Sequence, residues 1–257
     1  MAKKIPYGLT DYFRIVTEDF YYVDKTKYIE DLEKTAAFLF LIRPRRFGKS
    51  LFLNMLNCYY DVKYADRFEE LFGNQYIGKH PTAEQGKYLV LRFNFSMVRA
   101  TDDKLEAAFN RHISLETAYF ASVYASYFKP DFQEQLKLIP EAAGRLEYIC
   151  LCAKEQGLSI YLLIDEYDNF TNTILSSKGN DVYHSLTHDS GFYRSFFYVV
   201  KGVTTGAEAP VKRMFITGVS PVTLDDVTSG FNIGTNITTD ERFNSMVGLT
   251  ESELLEM

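Results

Sequence analysis

Short apolar segments alternate with longer amphipathic segments along this chain, and this alternation restricts the fold more than any other feature of the sequence. The apolar segments are residues 37–42 (AFLFLI), 88–95 (YLVLRFNF), 159–164 (SIYLLI) and 214–219 (MFITGV). Each is short and apolar on both faces, as in strands that are buried on both sides of a sheet. We therefore predict an α/β fold with a mostly parallel sheet that helices cover on both sides.

The segments between these strands follow the helical period. They predict helices over residues 49–59, 102–127, 141–156 and 180–201, the last two ending at Gly157 and Gly202. In open parallel sheets, ligands bind beyond the carboxyl ends of the strands. The functional site should therefore lie just after Ile42, Ile164 and Thr217.

Composition excludes several classes of protein. Apolar residues make up 46% of the chain, enough for a core without disulfides or metal. The net charge of −6 argues against a protein that coats nucleic acid along its whole surface. Three cysteines do not form a disulfide framework and fit a reducing compartment. The longest apolar run, residues 36–42, is far shorter than a membrane span. We expect no signal peptide, because no apolar segment follows the basic residues near the N-terminus. We expect a cytoplasmic protein without a membrane partner.

Residues 43–50 (RPRRFGKS) follow the first predicted strand. They match the second half, G-K-[ST], of the phosphate-loop pattern G-x-x-x-x-G-K-[ST]. Gly48 would let the backbone approach phosphates, and the following helix would point its first N–H groups at them. Lys49 can reach the β and γ oxygens, and the Ser50 hydroxyl can bind Mg²⁺. Arg43 stands where the first glycine belongs, so a basic turn before an ordinary helix is the alternative.

The loop also carries arginines at positions 43, 45 and 46. They are either a solvated surface or extra positive charge around a triphosphate or another polyanion. The predicted nucleotide-binding residues are Arg45, Arg46, Phe47, Gly48, Lys49, Ser50 and Leu51.

Residues 160–166 (IYLLIDE) place two acids at the end of a buried strand. A buried carboxylate is costly unless it is paired or binds a metal. We predict that Asp165 faces Ser50 and binds Mg²⁺ through water, and that Glu166 is the general base for an attacking water. The alternative is a strand end that exposes two acids to solvent. Asp168 is interpreted as a helix cap rather than a ligand.

The fourth strand also ends in polar residues, within residues 215–221 (FITGVSP). A hydroxyl here could hold the attacking water or sense the γ-phosphate, with Thr217 the first choice and Ser220 the second. A strand end that a turn caps is equally compatible with the pattern.

Four stretches together resemble the bacterial AAA-ATPase-like family: residues 21–26 (YYVDKT), 43–50, 163–168 (LIDEYD) and 216–221 (ITGVSP). They occur in the family's order over nearly the whole chain, and RPRRFGKS is that family's typical form of the loop. The resemblance implies a three-layer P-loop NTPase of the additional-strand type, with residues 88–95 as the additional strand. It further implies a sheet in the order 5-1-4-3-2 and ATP rather than GTP as the nucleotide.

The phosphate loop, the two acids and Thr217 lead to one main hypothesis. The chain is expected to be a Mg²⁺-dependent ATP hydrolase that acts as a switch or motor for attached domains, with Glu166, Lys49 and Thr217 as catalytic residues. Family members commonly carry a C-terminal restriction-endonuclease-like nuclease domain, which these 257 residues do not include. That domain and nucleic acid are therefore expected partners of a longer protein, and oligomers are compatible with the family. Two alternatives stay open: a nucleotide-binding regulatory module without turnover, and a regulator of nucleic-acid processing.

The YYVDKT stretch has no role that follows from phosphate chemistry. Asp24 and Lys25 could brace the nucleotide site. Packing of Tyr21 and Val23 beneath a capped helix that begins at Asp24 is the simpler expectation.

We predict three parts: an N-terminal segment over residues 1–35, the ATPase core over 36–240, and the start of a C-terminal helical lid over 241–257. Residues 250–253 (TESE) form a capping box, which predicts a helix that the chain's end cuts short. The chain is thus expected to be a fragment with weak ATPase activity by itself.

Overall fold

A computed structural model of the chain describes residues 3–98, 104–188, 191–220 and 234–256. Its sheet has five parallel strands in the order β2-β3-β4-β1-β5, which is 5-1-4-3-2 from the opposite edge. The α/β class and the parallel sheet are therefore confirmed. The strands are β1 (Phe38–Ile42), β2 (Leu89–Asn94), β3 (Ile160–Asp165), β4 (Val211–Gly218) and β5 (Thr235–Asn236).

Helices occupy most of the remaining described chain. They are α1 (Tyr12–Thr17), α2 (Tyr28–Thr35), α3 (Lys49–Tyr60), α4 (Phe68–Phe72), α5 (Tyr76–Lys79), α6 (Leu105–Val123), α7 (Phe132–Lys137), α8 (Ala142–Glu155), α9 (Asn169–Lys178), α10 (Asn180–Thr187), α11 (Phe192–Thr204) and α12 (Glu251–Leu255). Short 3₁₀ helices cover Val62–Arg67, Phe95–Met97, Ala125–Tyr127 and Glu241–Phe243. In the ranges that the structure describes, no helix is both long and apolar enough to cross a membrane.

The sheet separates two apolar cores, because successive side chains of a strand point to opposite faces. On one face, β3 contributes Leu162 and Ile164 to a core that the helices α6 to α11 cover. On the other face, Leu163 packs with side chains of α1 to α5 and with residues 237–247. The result is three layers, with the sheet in the middle.

One helix prediction is wrong. The segment predicted as a single helix over residues 180–201 forms two helices, α10 and α11, and α11 runs through Gly202 to Thr204. At Gly191 a Cβ atom would lie 2.2 Å from the carbonyl oxygen of Leu186, so the chain can turn back this closely only because the residue is glycine. Burial of Val200 and Thr204 outweighs the cost of about 1 kcal/mol for a glycine inside a helix.

The other helices differ from their predictions at the ends. The helix predicted over residues 102–127 is α-helical only over Leu105–Val123 and continues as a 3₁₀ turn, while residues 102 and 103 lie outside the described residues. The predicted stop at Gly157 is confirmed, with a φ of 65° just after α8. The capping box is confirmed as well, with both of its hydrogen bonds at the start of α12.

The YYVDKT segment does not form the capped helix that was expected at Asp24. The helix α2 begins at Tyr28, and Lys27 at its N-cap makes no side-chain capping bond. One carboxylate oxygen of Asp24 accepts bonds from the backbone N–H and the hydroxyl of Thr26, and the other accepts from the backbone N–H of Tyr76. Asp24 thus fixes a turn against α5, because the bonds from Thr26 and from the distant Tyr76 give its carboxylate more partners than a local helix start would.

Candidate functional site

The predicted site segments meet at the carboxyl edge of the sheet. Ile42 at the end of β1 lies opposite Gly218 at the end of β4, and the Arg43 N–H donates to the Gly218 carbonyl at 3.2 Å. The Tyr167 N–H after β3 donates to the Thr217 carbonyl at 3.1 Å. Three segments that are distant in sequence are therefore joined at one edge by backbone hydrogen bonds.

The loop after β1 curls around the Lys49 side chain. Gly48, the N-cap of α3, has a φ of 84°, and Arg46 also adopts a left-handed conformation, with a φ of 68°. A Cβ atom at Gly48 would contact nothing within 4 Å, so the backbone conformation, not space, requires glycine there. The buried Lys49 ammonium donates to the carbonyls of Arg43 and Pro44 at 2.9 and 3.0 Å.

Opposing effects act on the charge of Lys49. Burial lowers its pKa, whereas the negative charges of Asp165 and Glu166 raise it, and burial is the stronger effect. Burial thus destabilises the charged form of Lys49, and a bound anion would stabilise it. This is the electrostatic environment in which a phosphate would bind.

The three loop arginines have different surroundings. Arg43 donates from its guanidinium to the carbonyls of Thr238 at 2.5 Å and Ile42 at 3.1 Å. Its guanidinium therefore ties the loop to the segment after β5, rather than forming the solvated surface that was one of the two expectations. Arg45 and Arg46 are exposed, and the charge of Arg45 acts on both Lys49 and Glu166.

Asp165 ends β3 and is completely buried. One of its oxygens accepts a hydrogen bond from the Thr217 hydroxyl at 2.8 Å. The other has no hydrogen-bond partner within the described residues, and the nearest cationic nitrogen, on Arg92, is 4.0 Å away. Since buried polar atoms are almost always satisfied, this oxygen marks a position for a ligand.

Glu166 follows in a strained backbone conformation with a φ of 50°. Non-glycine residues adopt this region at a cost of about 1–3 kcal/mol, and such residues cluster at functional sites. The Asn169 side-chain amide donates to the Glu166 carboxylate at 3.0 Å. Burial first, and then the charge of Asp165, raise the pKa of Glu166. A carboxylate that accepts a proton more readily suits a general base.

Thr217 and Ser220, the two candidate residues at the carboxyl end of β4, both make hydrogen bonds with residues 165–168. Thr217 is buried, and its hydroxyl donates to Asp165, so in this structure it orients the carboxylate. Ser220 contributes backbone groups: its N–H donates to Asp168 at 2.6 Å, and its carbonyl accepts from the Tyr167 hydroxyl at 2.6 Å.

Asp168 has a different role from the predicted helix cap. It occupies the N-cap position of α9, but its side chain makes no capping bond there. Its carboxylate instead accepts the N–H groups of Val219 and Ser220 and the side-chain amide of Asn172. Charge-assisted bonds to N–H groups that would otherwise be unpaired are stronger than a helix cap, which explains the difference.

Arg92 is a site residue that the sequence reasoning missed. Its guanidinium donates to the Asn54 side chain at 2.9 Å, and Asn54 donates to the Ser50 carbonyl at 2.9 Å. Arg92 therefore connects the helix of the phosphate loop to the neighbourhood of Asp165. A single charged residue inside the apolar strand YLVLRFNF was the signal that could have identified it.

The chain is similar to a known protein family. The family model described as "Predicted AAA-ATPase" matches residues 6–228, which is most of the chain. The chain belongs to the AAA-ATPase-like family. Membership in this family implies nucleotide binding, and the match includes the phosphate loop, the two acids and the end of β4.

A curated relative in the comparison is the "Uncharacterized protein in vnfD 5'region" of Azotobacter chroococcum mcd 1. It is 27% identical over 260 residues, which cover 98% of this chain and 44% of the relative. The AAA-ATPase-like chain thus spans less than half the length of the relative that it matches. No solved structure matches the chain.

Proposed function

We propose that this chain is an ATP-binding, Mg²⁺-dependent ATP hydrolase with a P-loop NTPase fold of the additional-strand type. The observation that carries the proposal is a juxtaposition at one sheet edge. The Lys49 ammonium lies within the loop before a twelve-residue helix, and the fully buried Asp165 has one oxygen without a hydrogen-bond partner among the described residues. The loop is suited to phosphates, and the free oxygen is suited to the cation that accompanies them.

The phosphate-binding role falls to the backbone and to Lys49. The first N–H groups of α3 have no partners inside the helix, and the helix dipole makes this end positive. Gly48 leaves the approach to these groups open. Lys49 would exchange its bonds to the Arg43 and Pro44 carbonyls for bonds to the β and γ oxygens, and Arg45 would add charge from the exposed side of the loop.

The residues that would hold Mg²⁺ are Ser50 and Asp165. The buried Asp165 oxygen that accepts no hydrogen bond from the described residues is the feature that fits a cation. Among the described residues, no three His, Cys, Asp or Glu side chains cluster into a metal site. That suits Mg²⁺, which usually binds one or two protein groups together with substrate phosphates. When bound, the ion neutralises charge on the β and γ oxygens.

Glu166 is the general base of the proposed reaction. It would take a proton from the attacking water while the bond from the γ-phosphorus to its bridging oxygen breaks, which yields ADP and inorganic phosphate. Asn169 orients the carboxylate, and the raised pKa improves its capacity to accept the proton. Thr217 supports the chemistry by orienting Asp165.

We further propose that turnover serves attached or partner domains, in the manner of a switch or motor. The limited share of the Azotobacter relative that the chain covers leaves room for such domains in related proteins. Together with a nuclease-like domain of the kind that the family resemblance implies, the ATPase would act in DNA processing. The exposed Arg45 and Arg46 offer a local positive surface despite the net charge of −6.

Release of inorganic phosphate from Mg²⁺·ATP tests the proposal. Glu166→Gln should retain ATP binding within about threefold but lose at least about a hundredfold in turnover, the usual share of a general base. Glu134→Gln, at an exposed position on α7, is the matched control and should turn over like the unaltered chain. Saturable ATP binding without phosphate release by the unaltered chain would favour the non-hydrolysing module instead.

A further inference from the structure

Arg92 lies between Asp165 and a polar cleft at the β2 edge of the sheet, which we call the edge cleft. We propose that its guanidinium is a built-in counter-ion that competes with Mg²⁺ for Asp165, and that Glu116 in the edge cleft receives it when the ion binds. Arg92 would thus limit how strongly Mg²⁺ promotes nucleotide binding. The inference rests on the proposed function and adds a regulation of the same site.

The position of the guanidinium is the first argument. The Asp165 oxygen without a hydrogen-bond donor among the described residues is the one that faces Arg92, whose Nη2 is 4.0 Å away. This separation is too long for a hydrogen bond but short enough for a Coulombic attraction. Arg92 therefore balances part of the charge of the buried Asp165 without occupying its oxygen.

A cation on the same oxygen would be close to a charge of its own sign. Mg²⁺ binds carboxylate oxygens at short distances, so the ion would lie near the guanidinium of Arg92. Like charges at such separations repel even in a medium of high dielectric constant. Binding of the ion therefore either works against this repulsion or displaces Arg92, and both lower the apparent affinity for Mg²⁺.

The edge cleft offers a position for the displaced side chain. Its volume is about 390 Å³, and it lies between α3, β2 and α6, with Arg92 in its wall. Glu116 of α6 lines the same cleft, is partly buried, and forms no hydrogen bond or ion pair with any described residue. Burial raises the pKa of Glu116, and the positive charge of Arg92 opposes this shift, so the two side chains already interact. A carboxylate in this state favours the approach of a guanidinium.

The other acids of the edge cleft already have partners. Asp61 accepts the backbone N–H of Lys63 at 3.0 Å, and its second oxygen is 4.0 Å from the Lys63 ammonium. Asp11 accepts the backbone N–H of Arg14 as the N-cap of α1. Glu116 is therefore the acid of the cleft that remains for the guanidinium.

Arg92 is also connected to Ser50, the second proposed Mg²⁺ ligand. Its Nη1 donates to the Asn54 side chain at 2.9 Å, and Asn54 donates to the Ser50 carbonyl at 2.9 Å. The fork of an arginine can bind Asn54 with one nitrogen and face Asp165 with the other, which the single ammonium of a lysine cannot do. Movement of Arg92 would therefore affect both residues that hold the ion.

The test is calorimetric titration of the full chain with the non-hydrolysable β,γ-imido analogue of ATP, once with Mg²⁺ and once with EDTA. The ratio of the dissociation constant in EDTA to that in Mg²⁺ is the Mg²⁺ advantage. Arg92→Met removes the charge and should raise this advantage at least about fivefold, mainly through tighter binding of the Mg²⁺ form. Arg111→Met, which removes an exposed charge from α6, is the matched control and should leave the advantage unchanged.

The role of Glu116 has a separate test. Glu116→Gln removes the partner of the displaced guanidinium and should lower the Mg²⁺ advantage at least about threefold. Glu106→Gln, at an exposed position on the same helix, is the matched control and should leave it unchanged. The double variant Arg92→Met/Glu116→Gln should behave like Arg92→Met, because Glu116 acts through Arg92.

The outcomes separate this inference from the proposed function. An unchanged or smaller Mg²⁺ advantage in a folded Arg92→Met variant would overturn the inference, whereas binding of the Mg²⁺ form by the unaltered chain would leave the proposed function standing. Equal weakening of both forms would show a merely structural role for Arg92 and would overturn the inference as well. Should Arg92→Met fail to fold, an unchanged advantage in Glu116→Gln would overturn it. If the unaltered chain binds neither form, the proposed function and the inference both fail.

Discussion

The hydrogen bond from Thr217 to Asp165 is the most informative single contact of the site, and Thr217→Val removes it with almost no change of shape. Both residues are completely buried, and the bond is 2.8 Å long. Without it, neither Asp165 oxygen would have a hydrogen-bond donor among the described residues, because Arg92 is 4.0 Å away. The carboxylate would then be buried with only the more distant charges of Arg92 and Lys49 to compensate it.

The expected cost follows from these facts. A hydrogen bond to a charged group contributes about 1.5–3 kcal/mol, and loss of a buried one approaches the upper end because water cannot replace the donor. We therefore expect the free energy of unfolding to fall by about 2–3 kcal/mol, which multiplies the unfolding constant roughly 30- to 150-fold. For a chain of this size, the melting temperature should fall by about 5–10 °C.

Urea denaturation, monitored by circular dichroism, measures this change in the free energy of unfolding. An unaltered m-value would show that the substitution changes stability and not the surface exposed on unfolding. Thr217→Ser is the control, since it keeps the hydroxyl and should lose no more than about 1 kcal/mol for the missing methyl group. The reasoning would be refuted if Thr217→Val unfolded within about 0.5 kcal/mol of the unaltered chain, or if the serine variant were equally destabilised.

Three further predictions concern the same edge of the sheet. Burial and the charge of Asp165 raise the pKa of Glu166, so ATP turnover should begin to fall on acidification at a pH above the ordinary pKa range of a glutamate. A turnover rate that stays constant down to pH 4 would contradict the role of Glu166 as general base. Gly218→Ala should cost about 1–3 kcal/mol of unfolding free energy, because the new Cβ would lie 2.3 Å from the Tyr167 ring, and unchanged urea denaturation would contradict the packing. Asp168→Asn should cost about 2 kcal/mol by the same assay, because an amide cannot accept all of the N–H bonds that the carboxylate accepts; an unaltered midpoint would show that these bonds contribute nothing.

Much of the fold was predictable because its signals are local. A strand that is buried on both faces is a continuous apolar run, and such runs located β1 to β4. The parallel arrangement then required the strand ends to share one edge, which brought Lys49, Asp165 and Thr217 to the same site. The break between α10 and α11 could not be predicted in this way, because the sequence on both sides of it has a helical pattern.

The details of the site depend on partners that are remote in sequence. Arg43 bonds to Thr238, 195 residues away, and Asp168 bonds to Val219, 51 residues away. No local pattern distinguishes these side chains from a solvated arginine or a helix cap. The ion pair between Lys25 and Glu253 is a similar case, because 228 residues separate its partners. The division of the chain into three parts remains a prediction.

Equilibrium binding of Mg²⁺·ATP to the unaltered chain and to Lys49→Ala tests the central claim most directly. The account predicts saturable binding to the unaltered chain and at least a hundredfold weaker binding to the variant. Lys137→Ala, at an exposed position on α7, should bind ATP like the unaltered chain. Normal ATP binding by a folded Lys49→Ala variant would contradict the assignment of residues 43–50 as the phosphate loop.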